Sequence, residues 1–246
     1  VVAYGIQIVR IGPNPKSAML ELTPLHIAVT RTARYYQIGT TSNLVRDVWI
    51  VCHGFSQLAA DFAVPFQSLD DDSRLILVPE GLSRFYLDTR PGHTGTSKVG
   101  ALWMTREDRD AEIGDIVNYL DTLYERILGQ LATHGVTRDQ IRVHALGFSQ
   151  GGPAVSRWAA RGSAVVDHLV PWAHAIPQDV NIRALGERRP DLHIDMVYGT
   201  RDRFVGEDAI EEQRTILEAS DVPFLMRAFE GGHALNLAML RELMAE

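Results

Sequence analysis

Two periodicities alternate along the chain. Short strand-like runs occupy residues 25–30, 33–38, 48–53, 75–79, 141–146, 169–175, 192–198 and 224–229, and several are nearly continuous in apolar residues, as expected of strands buried on both faces of a mostly parallel sheet. Between them apolar positions recur at helical spacing. The clearest stripe is Ile113, Ile116, Val117, Leu120, Tyr124, Ile127 and Leu128. Glu107, Asp108, Asp110 and Glu112 crowd its start, where the helix dipole favours negative charge. Further helices are predicted directly after residue 151, around Ile210, Gln213, Arg214 and Leu217, and over residues 234–244. This alternation, without repeats or an internal linker, predicts one α/β domain over residues 19–246. Only Arg31 and Thr32 separate the first two runs, too few for a parallel crossover, so these are expected to form an antiparallel pair at the N-terminal edge.

Gly147, Phe148, Ser149, Gln150 and Gly151 form a G-x-S-x-G pentapeptide between a strand-like run and a helical pattern. A serine hydroxyl is a poor nucleophile unless a tight turn presents it to a base and to backbone donors, and the flanking glycines permit such a turn. Nine histidines compete for the role of base. His233 follows Gly231 and Gly232 just beyond the last strand-like run and is the leading candidate, with His174 the alternative. His26 and His193 lie inside strand patterns, and His53 is expected to hold its loop by hydrogen bonds. Asp202, three residues after Gly199, is the expected orienting acid; Asp195 lies within a strand and Asp208 within the next helix. The backbone amides of Phe55 and Gln150 are the candidate donors to a developing oxyanion, because Gly54 lets the loop face a cavity. The order Ser, Asp, His is that of the α/β-hydrolase fold.

His53-Gly54-Phe55, Gly147-Phe148-Ser149-Gln150-Gly151-Gly152, Gly199-Thr200-Arg201-Asp202 with Val205, and Gly231-Gly232-His233 together resemble the phospholipase/carboxylesterase family of α/β hydrolases, which includes acyl-protein thioesterases. The resemblance runs from about Ala33 to the C-terminus. It implies an α/β-hydrolase fold with helices on both faces of the sheet, a Ser149–His233–Asp202 triad, and an oxyanion hole at Phe55 and Gln150. Thioesterase members carry a second glycine and an acidic residue after the His-Gly pair, where this chain has Phe55, Ser56 and Gln57. Their Trp-aromatic-Asp pattern is represented by Trp103, Met104 and Thr105. The implied activity is therefore that of a general carboxylesterase, with acyl-protein thioesterase or lysophospholipase as alternatives. A serine peptidase would need a device for the peptide backbone or terminal amine, and a binding protein on this fold is expected to lack a triad member.

The long segment 81–106 offers Phe85, Tyr86 and Trp103 as substrate-binding residues, with Trp172 a further wall. No cap domain interrupts the pattern, which implies an accessible cleft and short to medium acyl chains. Such a triad calls for neither a metal nor an organic cofactor.

Composition narrows the partners. With a net charge of −7 and no basic run, the chain is not expected to bind nucleic acid. The acidic triplet Asp70, Asp71 and Asp72 reads as a solvated turn, and the single cysteine, Cys52, excludes an intrachain disulfide. No stretch approaches the roughly 18 residues of a membrane span. The expected partner is a small-molecule ester, with a homodimer left open. The apolar opening lacks a basic flank and a cleavage site, so the cytoplasm is the expected location, although a signal already removed would leave no trace. Two readings stay open for residues 1–18: an extension foreign to the native chain, with Met19 its natural start, or an ordinary edge segment.

Overall fold

The structure, a computed structural model, describes residues 23–88 and 92–245. The expectation for residues 1–18 lies outside them. The chain divides into two units, Val1–Thr32 and Ala33–Glu246. In the first, residues 23–32 form neither helix nor strand, and Leu25, Ile27 and Val29 are 93%, 86% and 79% exposed. The strand expected at 25–30 is therefore not formed, and neither is its pairing with 33–38. A run with strand propensity becomes a strand only where a neighbour supplies a ladder.

The second unit is built on a seven-stranded sheet. Its strands are β1 (Tyr35–Ile38), β2 (Asp47–Cys52), β3 (Arg74–Pro79), β6 (Arg142–Phe148), β7 (His168–Trp172), β8 (His193–Gly199) and β9 (Phe224–Phe229). They lie in the order β1-β3-β2-β6-β7-β8-β9. All neighbours are parallel except the edge pair, where β1 runs antiparallel to β3 with Tyr35 opposite Pro79. An antiparallel edge thus exists, but the partner of 35–38 is β3. A separate two-stranded hairpin, β4 (Ser83–Tyr86) and β5 (Val99–Leu102), occupies the long segment that carries no strand in the sequence reading.

Each buried strand feeds two cores, because side chains alternate across a sheet. On β2, Val48, Ile50 and Cys52 enter one core, while Trp49 and Val51 enter the other. The first core is closed by α2 (Arg109–Ala132), α3 (Gly151–Arg161), α4 (Ile182–Arg188) and α5 (Glu207–Glu218). The second is closed by α1 (Ala59–Ala63), a 3₁₀-helix at Val64–Leu69 and α6 (Leu237–Ala245). Both faces of the sheet are therefore covered, as continuous apolar strands require. No helix among the described residues is long and apolar enough to cross a membrane.

Candidate active site

β6 ends at Phe148 and α3 begins at Gly151, leaving Ser149 and Gln150 to turn the chain. Ser149 has φ 51°, a left-handed conformation. Its N–H donates to the Trp172 carbonyl at 2.8 Å, and its own carbonyl accepts from Gly152 at 2.9 Å. Glycine is needed where strand and helix converge. A Cβ on Gly147 would lie 2.2 Å from the Gly151 carbonyl oxygen, and one on Gly151 would lie 2.2 Å from that of Cys52.

The serine hydroxyl meets a histidine from a different strand end. His233 Nε2 lies 2.9 Å from Ser149 Oγ, and His233 Nδ1 lies 2.8 Å from Asp202 Oδ2. An ionised carboxylate only accepts, so the Nδ1 proton points at Asp202 and Nε2 is left to accept from the serine. The Asp202 side chain is fully buried, while that of His233 is 22% exposed. The second carboxylate oxygen, Oδ1, accepts from the Phe204 N–H at 2.8 Å. Both loops are fixed from behind: Arg201 N–H donates to the Gly231 carbonyl at 2.8 Å, and the Trp172 indole donates to that of Ala234 at 3.1 Å. Trp172 is fully buried in this role, so it anchors the His233 loop instead of forming a wall.

The loop after β2 is held just as firmly. Gly81 N–H donates to His53 Nε2 at 2.9 Å, which leaves the ring proton on Nδ1 to reach the Gly54 carbonyl at 2.7 Å. Burial pushes the His53 pKa down, favouring this neutral ring. His53 thus has the expected loop-holding contacts. A turn follows, closed by Gln57 N–H on the Gly54 carbonyl at 3.3 Å, with Phe55 and Ser56 at its corners. The hairpin clamps it: Ser56 N–H donates to Ala101 at 2.9 Å, and Ala101 N–H to Gln57 at 3.2 Å.

Gln150 brings a side-chain role that its motif did not reveal. Its amide accepts from Trp103 N–H at 3.0 Å and donates to the Met104 carbonyl at 2.8 Å, tying the serine turn to the segment after β5. Its backbone precedes the first turn of α3, where the helix dipole is positive.

The three proposed substrate residues fall in different places. The Phe85 ring packs on Phe55 with centroids 5.3 Å apart, beside the clamped turn. Tyr86 is 48% exposed and stacks on His93 at 3.9 Å. Trp103 is 2% exposed, donates its indole N–H to the His53 carbonyl at 2.8 Å, and supports the loop from inside the core. A ring that buried has no face for a ligand, which corrects its expected place in the pocket. Phe204, absent from the sequence reading, lies 4.7 Å from the His233 ring and is 80% exposed. The alternatives have other partners or places: His174 bonds the adjacent Ala175 carbonyl, Asp195 pairs with His168, and Asp208 lies in α5.

No protein-family model and no curated protein matches the sequence. Solved structures do match the fold. Acyl-protein thioesterase 2 from Zea mays superposes with a TM-score of 0.58 at 13% identity, covering 87% of this chain and 97% of its own. A carboxylesterase from Mesorhizobium loti gives 0.61 at 15% identity, covering 87% and 94%. A Bacillus cereus carboxylesterase gives 0.59 at 13%, covering 87% and 92%. Likeness at such identities is one of architecture: the chain has the α/β-hydrolase fold.

Proposed function

We propose that this chain is a serine carboxylesterase acting on esters of short to medium acyl chains. The observation that carries the reading is the unbroken path from Asp202 through His233 to Ser149, at 2.8 and 2.9 Å. In this scheme His233 Nε2 takes the Ser149 proton as Oγ attacks the ester carbonyl. Asp202 holds the imidazole tautomer and stabilises its cationic form. The backbone amides of Phe55 and Gln150 receive the oxyanion, each donor worth roughly 3 kcal/mol in the transition state. The imidazolium then gives its proton to the departing alcohol. Water attacks the acyl-serine by the same path in reverse, releasing the acid and restoring Ser149. Phe204 supplies exposed aromatic surface against the His233 ring, and the Phe55–Phe85 pair supplies more at the loop after β2, which suits an apolar acyl group.

The test is hydrolysis of p-nitrophenyl esters of increasing acyl length, with a thioester and a peptide anilide alongside, by the native chain and by Ser149→Ala. Ester turnover is expected to exceed anilide turnover and to fall by about 10⁴-fold or more in the variant. Turnover that survives Ser149→Ala would remove the serine from the mechanism. A marked preference for the thioester would move the reading to a thioesterase.

A further inference from the structure

The amino ends of the strands, opposite the serine, hold a second cluster of titratable side chains. The strand register places Trp49, His144, His168 and His193 side by side on β2, β6, β7 and β8. Trp49 stacks on His144 at 4.1 Å, and His168 stacks on His193 at 3.9 Å. Polar contacts run through the row in series. His144 Nε2 lies 2.8 Å from Asp47 Oδ1, His144 Nδ1 lies 3.0 Å from His168 Nδ1, and His168 Nε2 lies 3.1 Å from Asp195 Oδ2.

Three contacts in series need three protons, and two neutral imidazoles carry only two. With His144 donating to Asp47, and His168 donating to His144, the remaining contact sets two acceptors face to face. Something positive belongs between His168 Nε2 and Asp195 Oδ2. A separation of 3.1 Å suits two ligands of one ion, since tetrahedral zinc with bonds of about 2.0 Å spaces its ligand atoms about 3.3 Å apart. A second observation points the same way. The Asp195 side chain is fully buried, yet its Oδ1 has no hydrogen-bond partner, a costly state for a carboxylate oxygen.

His193 completes the group. One ligand atom each from His168, His193 and Asp195 lies within 4.8 Å of the others. His193 is half-buried, so the group lies towards solvent on that side. The charges leave room for a cation. Asp47, Asp195 and Glu242 share two guanidiniums: Arg142 lies 3.0 Å from Asp47, and Arg227 lies 3.1 Å from Asp195 and 3.0 Å from Glu242.

We propose that His168, His193 and Asp195 bind a divalent transition-metal ion of the zinc class at the amino end of the sheet. Solvent fills the fourth position on the His193 side. His144 and Asp47 lock His168 in the tautomer that leaves Nε2 unprotonated, the usual service of groups behind a metal-bound histidine. Two imidazoles and one carboxylate select zinc, cobalt, nickel or copper over calcium and magnesium. The ion joins β7 to β8 and has no part in the chemistry at the opposite end of the strands.

The experiment is a titration of the chelator-treated full chain with cobalt(II), read by visible absorption and by thermal unfolding. One equivalent is expected to bind with the intense visible bands of a tetrahedral site and to raise the unfolding midpoint. His193→Ala removes a half-buried ring and should weaken binding at least tenfold, while His134→Ala, at an exposed histidine elsewhere, should leave it unchanged. The native titration decides even where a variant folds poorly. Absence of stoichiometric uptake, or uptake with octahedral bands that His193→Ala leaves intact, overturns the proposal and leaves a shared proton as the bridge.

Discussion

A φ of 51° at Ser149 sets a cost at the residue where chemistry is proposed. For an L-residue the left-handed conformation costs roughly 1–2 kcal/mol, and glycine escapes that cost while losing somewhat more backbone entropy on folding. Ser149→Gly is therefore expected to be more stable than Ser149→Ala by about 1 kcal/mol, although both lose the hydroxyl that meets His233. Equal denaturant midpoints for the two would show that the turn is not strained. Ser149, Asp202 and His233 could be picked from the sequence because each follows a recognisable strand, and short glycine-bearing loops carry Asp202 and His233. Gln150's grip on Trp103 and Met104 could not be read, because its partners lie 47 and 46 residues away. The same holds for His168 and Asp195, 27 apart, which read singly as strand interior.

Among the elements, the β4–β5 hairpin matters most to the proposed oxyanion loop and was least visible in the sequence. Each strand has four residues, β4 alternates only between half-buried and exposed positions, and β5 contains a glycine. Neither gives a periodicity that separates it from a loop. Residues 25–30 show the converse: alternation is present, but no ladder is. Gly100 lies where the hairpin meets the turn after His53, and a Cβ there would come within 2.4 Å of the Ser56 carbonyl oxygen. Leu87 Cδ2, 2.8 Å away, can turn aside, but the Ser56 backbone, with its Cα also at 2.8 Å, must itself move. Gly100→Ala is expected to shift Ser56 and with it the Phe55 amide, lowering kcat for p-nitrophenyl acetate about 10- to 100-fold, within the effect of losing one donor. Its far-UV circular dichroism should remain native. Unchanged kcat would mean that the hairpin does not set the loop's position.

At the scale of the whole unit, the covered parallel sheet was legible because strands buried on both faces read as unbroken apolar runs. The strand order β1-β3-β2-β6-β7-β8-β9 was not, since periodicity reports which face a residue occupies and not which strand lies beside it. The helical layer on the α2 and α3 side has its own long-range tie in Asp179. Its carboxylate accepts from Arg157 at 2.9 and 3.0 Å and from Arg109 at 2.7 Å, and it also pairs with Arg161. The hydrogen bonds from Arg157 and the charges of Arg157 and Arg109 hold the Asp179 carboxyl well below the usual carboxylate range. Between that depressed value and the unfolded value near 3.9, the unfolded chain binds more protons than the folded one. The contribution of Asp179 is therefore complete above about pH 5 and is lost progressively as pH falls below about 4. Asp179→Asn mimics the protonated state at every pH and leaves three guanidiniums without their common counterion. The variant should melt a few degrees below the native chain at pH 7, with the gap constant down to about pH 5 and narrowing steadily towards pH 2. Thermal midpoints measured across that range decide the matter: a gap that stays constant to pH 2 would show that the carboxylate's charge contributes nothing and that Asp179 holds α2 and α3 by shape alone.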